Sequence, residues 1–260
     1  MNLPAGIVLA AGSGTRLRPL THLRPKALCP VANVPLVDRA LASIRRAGIS
    51  EVAVNAHHLA EQVAGHLDGR VHLSVEQPAA LGTAGAVAAL RTWLDGRDAL
   101  ICNSDAYRDG DLATLLTGWT GESPRLLVIR DPQHADFGDW RFAGASLLPW
   151  SCARALPPAP AGLYEAVWRG SGARGELEFV EHNGTFIDCG TPRDYLAANL
   201  HASRGASVIG EGAIVDGELV RSVVWPGAVV GRGERLVNCV RTDTGLTVDC
   251  SGSANRRAVD

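Results

Sequence analysis

Residue types suited to phosphate binding are concentrated in the segment 9–35, which reads LAAGSGTRLRPLTHLRPKALCPVANVP. Gly12 and Gly14 have no Cβ, so backbone N–H groups there can approach phosphate oxygens and form an anion-binding nest. Arg16 adds a forked donor beside these glycines, and Lys26 adds a compact cation on a proline-stiffened stretch. The spacing therefore predicts a phosphate-binding loop.

The lysine of this loop is unusual in the composition of the chain. Of the 25 basic residues, 24 are arginine, so Lys26 is the single lysine. A sequence that otherwise uses arginine has kept an ammonium group at this one place. This bias favours a role that the wider, planar guanidinium would fill poorly.

Two common phosphate-binding motifs do not describe the loop. The dinucleotide fingerprint requires a third glycine where the chain has Leu17, and Pro19 obstructs the helix that should follow. The Walker A motif requires Gly-Lys-Ser/Thr, which is absent from the sequence. The loop is therefore of another kind.

The elements that must position this loop alternate between strand and helix. Short apolar, β-branched runs predict strands, and apolar residues at helical spacing predict helices between them. The predicted strands are 5–10, 51–55, 71–76, 99–103, 125–130, 176–181 and 185–188, and the predicted helices are 35–48, 58–67, 83–94, 111–119 and one that opens at Thr191-Pro192. This order predicts an α/β fold with a doubly wound, mostly parallel sheet. The segment 132–175, rich in Pro, Gly and Trp, is expected to form an irregular lobe over a site.

A different pattern begins near Ser207. Apolar residues return at about every sixth position, with one phase slip, at Val208, Ile214, Val220, Val224, Val230 and Leu236. Hexad spacing of this kind predicts two or three turns of a short left-handed β-helix, with a plain β-meander as the alternative. The expected organisation is a catalytic domain over 1–203, the β-helix tail over 204–250, and a frayed C-terminus over 251–260.

The loop also resembles a known family signature. The run GSGTRLRPLTHLRPK meets every fixed position of the pattern G-x-G-T-R-L-x-P-L-T-x3-P-K of the sugar-1-phosphate nucleotidyltransferases, the NDP-sugar pyrophosphorylases. Three further segments resemble the family in its order: EQPAALGTAG for the base, NSD for a metal, and FIDCGTPRDYLAAN for a second metal carboxylate. Trp is more usual in the family at Phe186. The resemblance covers residues 3–200.

This resemblance implies a Rossmann-like fold, related to the GT-A architecture, and a role for each segment. A nucleotidyl group would pass from an NTP to a sugar 1-phosphate, giving an NDP-sugar and pyrophosphate. Arg16 would grip the β- and γ-phosphates, and Lys26 would bridge the α-phosphate and the sugar phosphate as catalytic residues. Asp105 and Asp188 would hold Mg²⁺, which takes one or two protein carboxylates and keeps several waters.

The nucleotide side is expected to consist of backbone and small residues. The candidate nucleotide-binding residues are Leu9, Ala10, Ala11, Gly12, Ser13, Gly14, Thr15, Gln77, Gly82 and Thr83. The amide of Gln77 offers both a donor and an acceptor, which suits uracil or thymine and favours UTP or dTTP. Adenylyltransferases of the family also carry glutamine there, and many guanylyltransferases carry an acidic residue. A mannose-1-phosphate-type guanylyltransferase using GTP is therefore the alternative.

The sugar side departs from the family pattern. Many members carry a second lysine that grips the sugar phosphate, and this chain has none. The lobe is also short, which resembles the N-acetylmuramate-1-phosphate uridylyltransferase and mannose-1-phosphate guanylyltransferase branches. Gly144 matches the glycine that meets the sugar. Further candidates for sugar or phosphate contacts are Asp139, Arg141 and Glu165.

Composition restricts the other classes of function. The formal net charge of −2 gives no basic field for nucleic acid. The sequence has no run of 18 apolar residues, so no membrane span is expected. It also has no basic stretch before the apolar run at its N-terminus, so no signal peptide is expected. The predicted location is therefore the cytoplasm. The six cysteines lack metal spacing and are expected to be reduced. The tail is expected to serve stability or homo-oligomer formation.

Two further readings belong to other classes. A non-catalytic homologue that binds NDP-sugars would be free to lose the charged residues Arg16, Lys26, Asp105 and Asp188, and all four are present. A GT-A-type glycosyltransferase would want an Asp-x-Asp metal motif, of which Asn103-Ser104-Asp105 supplies half.

Overall fold

The computed structural model describes residues 3–252, so the predicted frayed C-terminus lies largely outside the described residues. Strands of the first part are β1 Ala5–Leu9, β2 Pro30–Val31, β3 Val34–Pro35, β4 Val52–Ala56, β5 His72–Val75, β6 Ala99–Asn103, β7 Ala106–Arg108, β8 Arg125–Arg130, β9 Trp140–Leu148, β10 Glu178–Glu181 and β11 Phe186–Asp188. The α-helices are α1 Leu20–Leu23, α2 Leu36–Arg46, α3 Ala60–Leu67, α4 Gly82–Ala89, α5 Arg91–Leu94, α6 Ala113–Leu116, α7 Trp150–Ala153, α8 Arg169–Ala173 and α9 Pro192–Ala202. Thr15–Leu17 and Lys26–Leu28 are 3₁₀ turns, and Tyr164–Trp168 is a π-helical turn.

A seven-stranded sheet forms the centre of the molecule, in the order β10-β8-β9-β6-β1-β4-β5. β1 is parallel to both β4 and β6, β4 is parallel to β5, and β10 is parallel to β8. β9 is antiparallel to both of its neighbours, β6 and β8. The predicted Rossmann-like, mostly parallel α/β sheet is therefore confirmed, with one reversed strand.

Helices cover both faces of this sheet. Successive residues of a strand point to opposite faces, and in β1 Val8 belongs to one core cluster while Ile7 belongs to the other. On the first face α2 buries the stripe that its periodicity predicts, including Leu41 and Ile44. On the second face lies α4, whose small residues allow a close approach to the sheet.

Besides several short elements that were not predicted, the structure differs from the predicted elements at β9, at α4 and α5, and at α6. β9 lies inside the segment expected to be irregular, because Gly144, with φ +76°, breaks the alternation that would have marked a strand. Two helices, α4 and α5, occupy the segment 83–94, in which a single helix is expected. The helix expected over 111–119 is the four-residue α6, whose first N–H, that of Ala113, is bound by the Asp111 carboxylate at 2.9 Å.

The last part of the chain forms eight short strands. They are β12 Val208–Ile209, β13 Ile214–Val215, β14 Glu218–Val220, β15 Val223–Val224, β16 Val229–Val230, β17 Arg235–Val237, β18 Cys239–Arg241 and β19 Thr247–Asp249. Three parallel stacks result: β12 with β15 and β18, β13 with β16, and β14 with β17. β19 returns antiparallel to β18.

This tail packs against the phosphate-binding segment through one shared core cluster. Trp225 is fully buried, and its indole N–H donates to the Tyr195 hydroxyl at 3.1 Å. The Tyr195 hydroxyl in turn donates to the carbonyl of Pro30. Leu17 and Leu20 of the predicted phosphate loop belong to the same cluster. The tail therefore packs against the buried, apolar side of the loop and supports it there.

We expect Trp225→Ala to destabilise the protein by about 3–5 kcal/mol, because it removes a large buried ring and leaves a cavity. It also removes the donor that reaches Tyr195. Arg232→Ala is the control, since Arg232 lies in the same tail and is exposed; its cost should stay within about 0.5 kcal/mol. Urea unfolding would measure both. Equal costs for the two variants would contradict the supporting role of the tail.

Candidate active site

The carboxyl ends of neighbouring strands bring the predicted site residues to one edge of the sheet. Leu9, at the end of β1, is in register with Asn103 of β6 and with Asn55 of β4. Ser104 donates to the Leu9 carbonyl through both its backbone N–H, at 3.1 Å, and its hydroxyl, at 2.7 Å. Asp105 is thereby fixed beside the start of the phosphate loop.

The loop itself is compact. Gly14 has φ +58°, a left-handed conformation that glycine adopts without strain, and it caps the 3₁₀ turn Thr15–Leu17. Its carbonyl accepts from the Leu17 N–H at 2.9 Å and from the Thr21 hydroxyl at 2.9 Å. Leu17 is fully buried while Arg16 is exposed, so the turn anchors its apolar side chain and presents its cation to the cleft.

Four charged side chains meet at this edge. The Lys26 ammonium lies 3.3 Å from a carboxylate oxygen of Asp188 and 3.6 Å from one of Asp105. Arg16 lies 3.3 Å from the other oxygen of Asp188. The Lys26 side chain is 9% exposed, so its position is set by the surrounding structure. The structure thus brings together the four residues that the sequence nominated for catalysis and metal binding.

A small antiparallel pair holds the second carboxylate in place. β11 pairs with β7 so that Asp188 is opposite Ala106, directly after Asp105. The N–H of the next residue, Cys189, donates to the Asp105 carbonyl at 3.1 Å. Gly190 then passes close to Arg16: a Cβ on this glycine would lie 2.9 Å from the guanidinium carbon. Larger residues at 190 would displace Arg16.

Two pockets meet at Leu9, Gly12 and Asp105. The first, which we call the phosphate pocket, carries the charged cluster and is lined by Leu9, Ala10, Gly12, Gly14, Thr15, Arg16, Lys26, Ala27, Ser104, Asp105 and Gly190. The second, the nucleoside pocket, is more apolar and is lined by Leu9, Ala11, Gly12, Asn55, Ala80, Gly82, Thr83, Asn103 and Asp105. An aromatic base and a polyphosphate chain could therefore lie in adjoining spaces.

Buried polar groups that the sequence did not single out join the two sides of the nucleoside pocket. The Asn55 side chain accepts from the Ala10 N–H at 2.7 Å and donates to Glu76 at 2.7 Å. The other Glu76 oxygen accepts from the Leu81 N–H at 2.7 Å. Glu76 is 2% exposed, which is rare for a carboxylate. The available sequence signals were that Asn55 lies near the end of a buried strand and that Glu76 is the first residue of the segment EQPAALGTAG.

Gly82 lies where the base segment meets the lobe. A Cβ on Gly82 would lie 2.6 Å from the Ala161 carbonyl oxygen, which also accepts from the Ala84 N–H at 2.9 Å. Thr83 uses its hydroxyl to accept from the Leu163 N–H at 2.8 Å. Thr83 thus has a structural role as well as a place in the pocket wall.

Gly144, which is predicted to meet the sugar, lies in β9 next to side chains of β6, β7 and β11. A Cβ built on Gly144 would lie 3.7 Å from Arg108 Nη1, from Asn103 Cβ and from Phe186 Cε2. The guanidinium carbon of Arg141 lies 5.5 Å from the centre of the Phe186 ring, and its Nη1 lies 3.3 Å from an Asp131 oxygen. Arg108 was not among the residues nominated from the sequence, since its contact with Gly144 depends on the fold.

Other nominated residues are placed away from the two pockets. Asp139 forms an exposed ion pair with Arg130 at 3.2 Å, and Glu165 is exposed on the π-helical turn. Ser13 and Gln77 are exposed, and neither lines the two pockets. For Asp139 and Glu165 the structure therefore adds no support to a sugar contact.

The cysteines near the site are inert thiols. All six cysteines are unpaired. Burial raises the pKa of Cys29 and of Cys189 to about 12, against a weaker lowering by nearby cations such as Lys26. Neither is a thiolate nucleophile near neutral pH.

Comparison with known proteins identifies the family. The sequence profile described as Nucleotidyl transferase matches residues 5–136, which is half of the chain. The chain belongs to this family. Within it, the chain is a sugar-1-phosphate nucleotidyltransferase, and therefore an enzyme, as the loop signature predicts. Among residues 3–252, no helix is long and apolar enough to cross a membrane.

The names of the relatives refer to several different sugars and nucleotides. N-acetylmuramate alpha-1-phosphate uridylyltransferase of Neisseria meningitidis is 29% identical, covering 71% of this chain and 92% of its own. Glucose-1-phosphate thymidylyltransferase of Streptomyces antibioticus is 31% identical, covering 89% and 74%. Mannose-1-phosphate guanylyltransferase of Mycobacterium tuberculosis is 25% identical, covering 94% and 79%. The fold is also that of the UDP-glucose pyrophosphorylase from Acinetobacter baumanii, with a TM-score of 0.62 and 16% identity over 77% of this chain and 93% of that one.

We expect Glu76→Gln to weaken nucleotide binding, although glutamine and glutamate are nearly the same size. The amide has one acceptor oxygen, so it cannot accept from both Asn55 and Leu81, and a buried N–H is left without a partner at a cost of about 1–3 kcal/mol. The dissociation constant for UTP by calorimetry and hydrogen exchange at the Leu81 amide would report the change. Glu61→Gln, on the exposed face of α3, is the control. An unchanged exchange rate at Leu81 would show that Glu76 does not fix the base segment.

Proposed function

We propose that the protein transfers a nucleotidyl group from an NTP to a sugar 1-phosphate, with release of pyrophosphate. The observation that carries this proposal is that Arg16, Lys26 and Asp105 line one pocket, with Asp188 bound to both of these cations, and that this pocket adjoins a small-walled, apolar pocket. Phosphoryl-group chemistry depends on holding the reacting oxygens in line and on neutralising their charge. A cation cluster beside two carboxylates can do both.

The two carboxylates fit a magnesium ion. Asp105 and Asp188 both lie within 4.0 Å of the same ammonium group, so their oxygens converge on one small volume. The described residues hold no cluster of three or more His, Cys, Asp or Glu side chains that would suit a tighter metal site. Mg²⁺ binds readily through one or two carboxylates plus substrate phosphates, and it would neutralise charge on those phosphates.

The protein's own cations have separate tasks in this proposal. Arg16 is exposed at the pocket mouth and can swing onto the β- and γ-phosphates, where it would stabilise the pyrophosphate leaving group. Lys26 is nearly buried and held between the carboxylates, so it can reach only a phosphate that enters the same volume. It would therefore contact the α-phosphate and the incoming sugar phosphate.

The base is proposed to be uracil or thymine. The nucleoside pocket has the backbone of Leu9 and Ala11 on one side and Gly82 on the other, so it accepts a flat ring between them. Gln77, five positions before Gly82, lies outside the lining of this pocket, and a rotation of its side chain would be needed to bring its amide donor and acceptor to a pyrimidine edge. The uridylyl- and thymidylyltransferases among the relatives support this choice, and the guanylyltransferases keep GTP as the second candidate.

For the tail we propose a short left-handed β-helix, residues 204–250, joined to a catalytic domain of residues 1–203. The three parallel stacks of strands support this interpretation. Ile214 and Val229 are neighbours in one stack and are 57% and 51% exposed. Their exposure supports self-association of the protein through the tail.

The direct test combines an array of NTPs and sugar 1-phosphates with pyrophosphate detection. We expect turnover with UTP or dTTP to exceed turnover with GTP, and we expect excess EDTA to abolish it. Asp105→Asn should lose at least about a hundredfold in kcat while the melting temperature stays near the wild-type value, because it removes a metal ligand and leaves the volume unchanged. Pyrophosphate release undiminished by EDTA would exclude the metal role. No release with any pair would exclude the proposed activity.

A second test concerns the ammonium group of Lys26. Lys26→Arg keeps the charge, but the planar guanidinium is wider and cannot fit the space that Asp105 and Asp188 leave. We expect kcat to fall by more than about tenfold while the NTP dissociation constant changes little, which is the pattern of an interaction made mainly in the transition state. Lys26→Ala provides the comparison. A Lys26→Arg enzyme within about threefold of the wild-type kcat, less than about 1 kcal/mol of barrier, would show that any cation suffices.

A further inference from the structure

Pro25 removes a backbone donor from the end of α1, the helix that follows the phosphate loop. In a longer helix the carbonyl of Thr21 would accept from the N–H four residues later, but that residue is Pro25, which has no N–H. The Arg24 N–H donates to the Leu20 carbonyl, at 3.3 Å. Thr21 is 1% exposed, and a buried carbonyl is costly to leave unpaired. A donor from another part of the chain therefore stabilises this helix end.

The segment that follows β4 provides that donor. Nε2 of His58 lies 2.8 Å from the Thr21 carbonyl oxygen, and Nε2 of Gln62 donates to the Leu23 carbonyl at 3.2 Å. A carbonyl oxygen only accepts, so Nε2 of His58 carries the proton in this contact. Leu59, between the two donors, has φ +49°, a strained conformation for leucine that persists only where the surrounding structure imposes it. The two hydrogen bonds thus tie this segment to α1.

Thr21 connects His58 to the phosphate loop. The Thr21 hydroxyl donates to the Gly14 carbonyl at 2.9 Å. A Cβ built on Gly14 would lie 2.8 Å from the Thr21 methyl carbon and 3.2 Å from Cβ of Lys26, so the three residues are packed closely. Gly14 lines the phosphate pocket together with Arg16 and Lys26. A displacement of Thr21 would therefore move the backbone that presents these cations.

The end of β4 fixes the phosphate loop at both of its ends. Asn55, in β4, accepts from the Ala10 N–H at 2.7 Å, where the loop leaves β1. His58, two residues after β4, donates to Thr21, where the loop enters α1. Asn55 is buried, whereas His58 is half-buried and lines neither the phosphate pocket nor the nucleoside pocket. A substitution of His58 therefore leaves the core and both pocket walls intact and reports on the position of the loop.

We propose that His58 is a positioning residue for the triphosphate of the nucleotide. Its Nε2–H holds Thr21, and Thr21 holds the Gly14 turn that presents Arg16 to the β- and γ-phosphates. This inference rests on the proposed function, which places those phosphates at Arg16. A misplacement of about 1 Å can lower a rate about a hundredfold. One hydrogen bond that fixes the loop therefore contributes to binding and turnover without touching the substrate.

The test compares His58→Gln with His58→Asn. The glutamine amide N–H reaches the place of the imidazole Nε2–H, whereas asparagine is one methylene shorter and does not reach the Thr21 carbonyl. Calorimetry with Mg²⁺ would give the dissociation constants for UTP and UMP, or for GTP and GMP if guanine is preferred. We expect His58→Asn to weaken triphosphate binding by about tenfold and monophosphate binding by less than about twofold, because the loop holds the β- and γ-phosphates. His58→Gln should stay within about threefold of the wild type for both.

Two further variants complete the test. Thr21→Val keeps the shape of the side chain and removes the hydroxyl that reaches Gly14, so it should show the same selective loss of triphosphate binding. It decides the question alone if His58→Asn does not fold. Glu61→Ala, exposed in the first turn of α3, is the control and should leave both dissociation constants unchanged.

The outcomes separate this inference from the proposed function. Equal triphosphate affinity in His58→Gln and His58→Asn would overturn the inference, and so would an equal loss of triphosphate and monophosphate binding, which would indicate a general structural role. Unchanged binding in Thr21→Val would contradict the connection through Thr21. If the variants separate as expected but no sugar 1-phosphate yields pyrophosphate, the positioning role holds and the proposed function fails. Binding of neither UTP nor GTP by the wild-type protein would overturn both.

Discussion

The contact of the Lys26 ammonium with the carboxylates of Asp105 and Asp188 joins three distant parts of the chain at one point. Two carboxylates at close range repel each other, and a cation between them turns that repulsion into attraction. The sheet edge supplies Asp105, the β7–β11 pair supplies Asp188, and the 3₁₀ turn after the phosphate loop supplies Lys26. The rest of the site depends on this arrangement, because the phosphate pocket is the space that these three segments enclose.

The phosphate loop keeps its shape because its apolar side is part of a core. Leu17 and Leu20 are buried in the cluster that also contains Tyr195 of α9 and Trp225 of the tail. A loop exposed on both faces would have to be ordered by its ligand, at the expense of binding free energy. Here the ordering is provided by packing before any ligand arrives. The tail thus contributes to the site although none of its residues lines the two pockets.

Specificity is expected from the regions where the chain differs from its family's usual pattern. On the base side, the Asn55 and Glu76 side chains tie the end of β1 to the base segment through buried hydrogen bonds. On the sugar side, the second lysine of many members is missing, and Arg108 is the cation next to the Gly144 position. The residues that the chain shares with its family for catalysis are therefore different from the residues that are expected to select the base and the sugar.

The sequence by itself determined the family, the parallel α/β architecture and the four charged residues of the site. Local patterns were sufficient for these, because the loop signature, the strand ends and the helix periodicity each depend on residues that are close together in the sequence. Only the tertiary structure decided the reversed strand β9, the support of the loop by Trp225, and the positions and contacts of Glu76 and Arg108. Those features depend on contacts between residues far apart in the chain, such as Arg108 with Gly144, and the burial and charge balance of a side chain are fixed only when such contacts form.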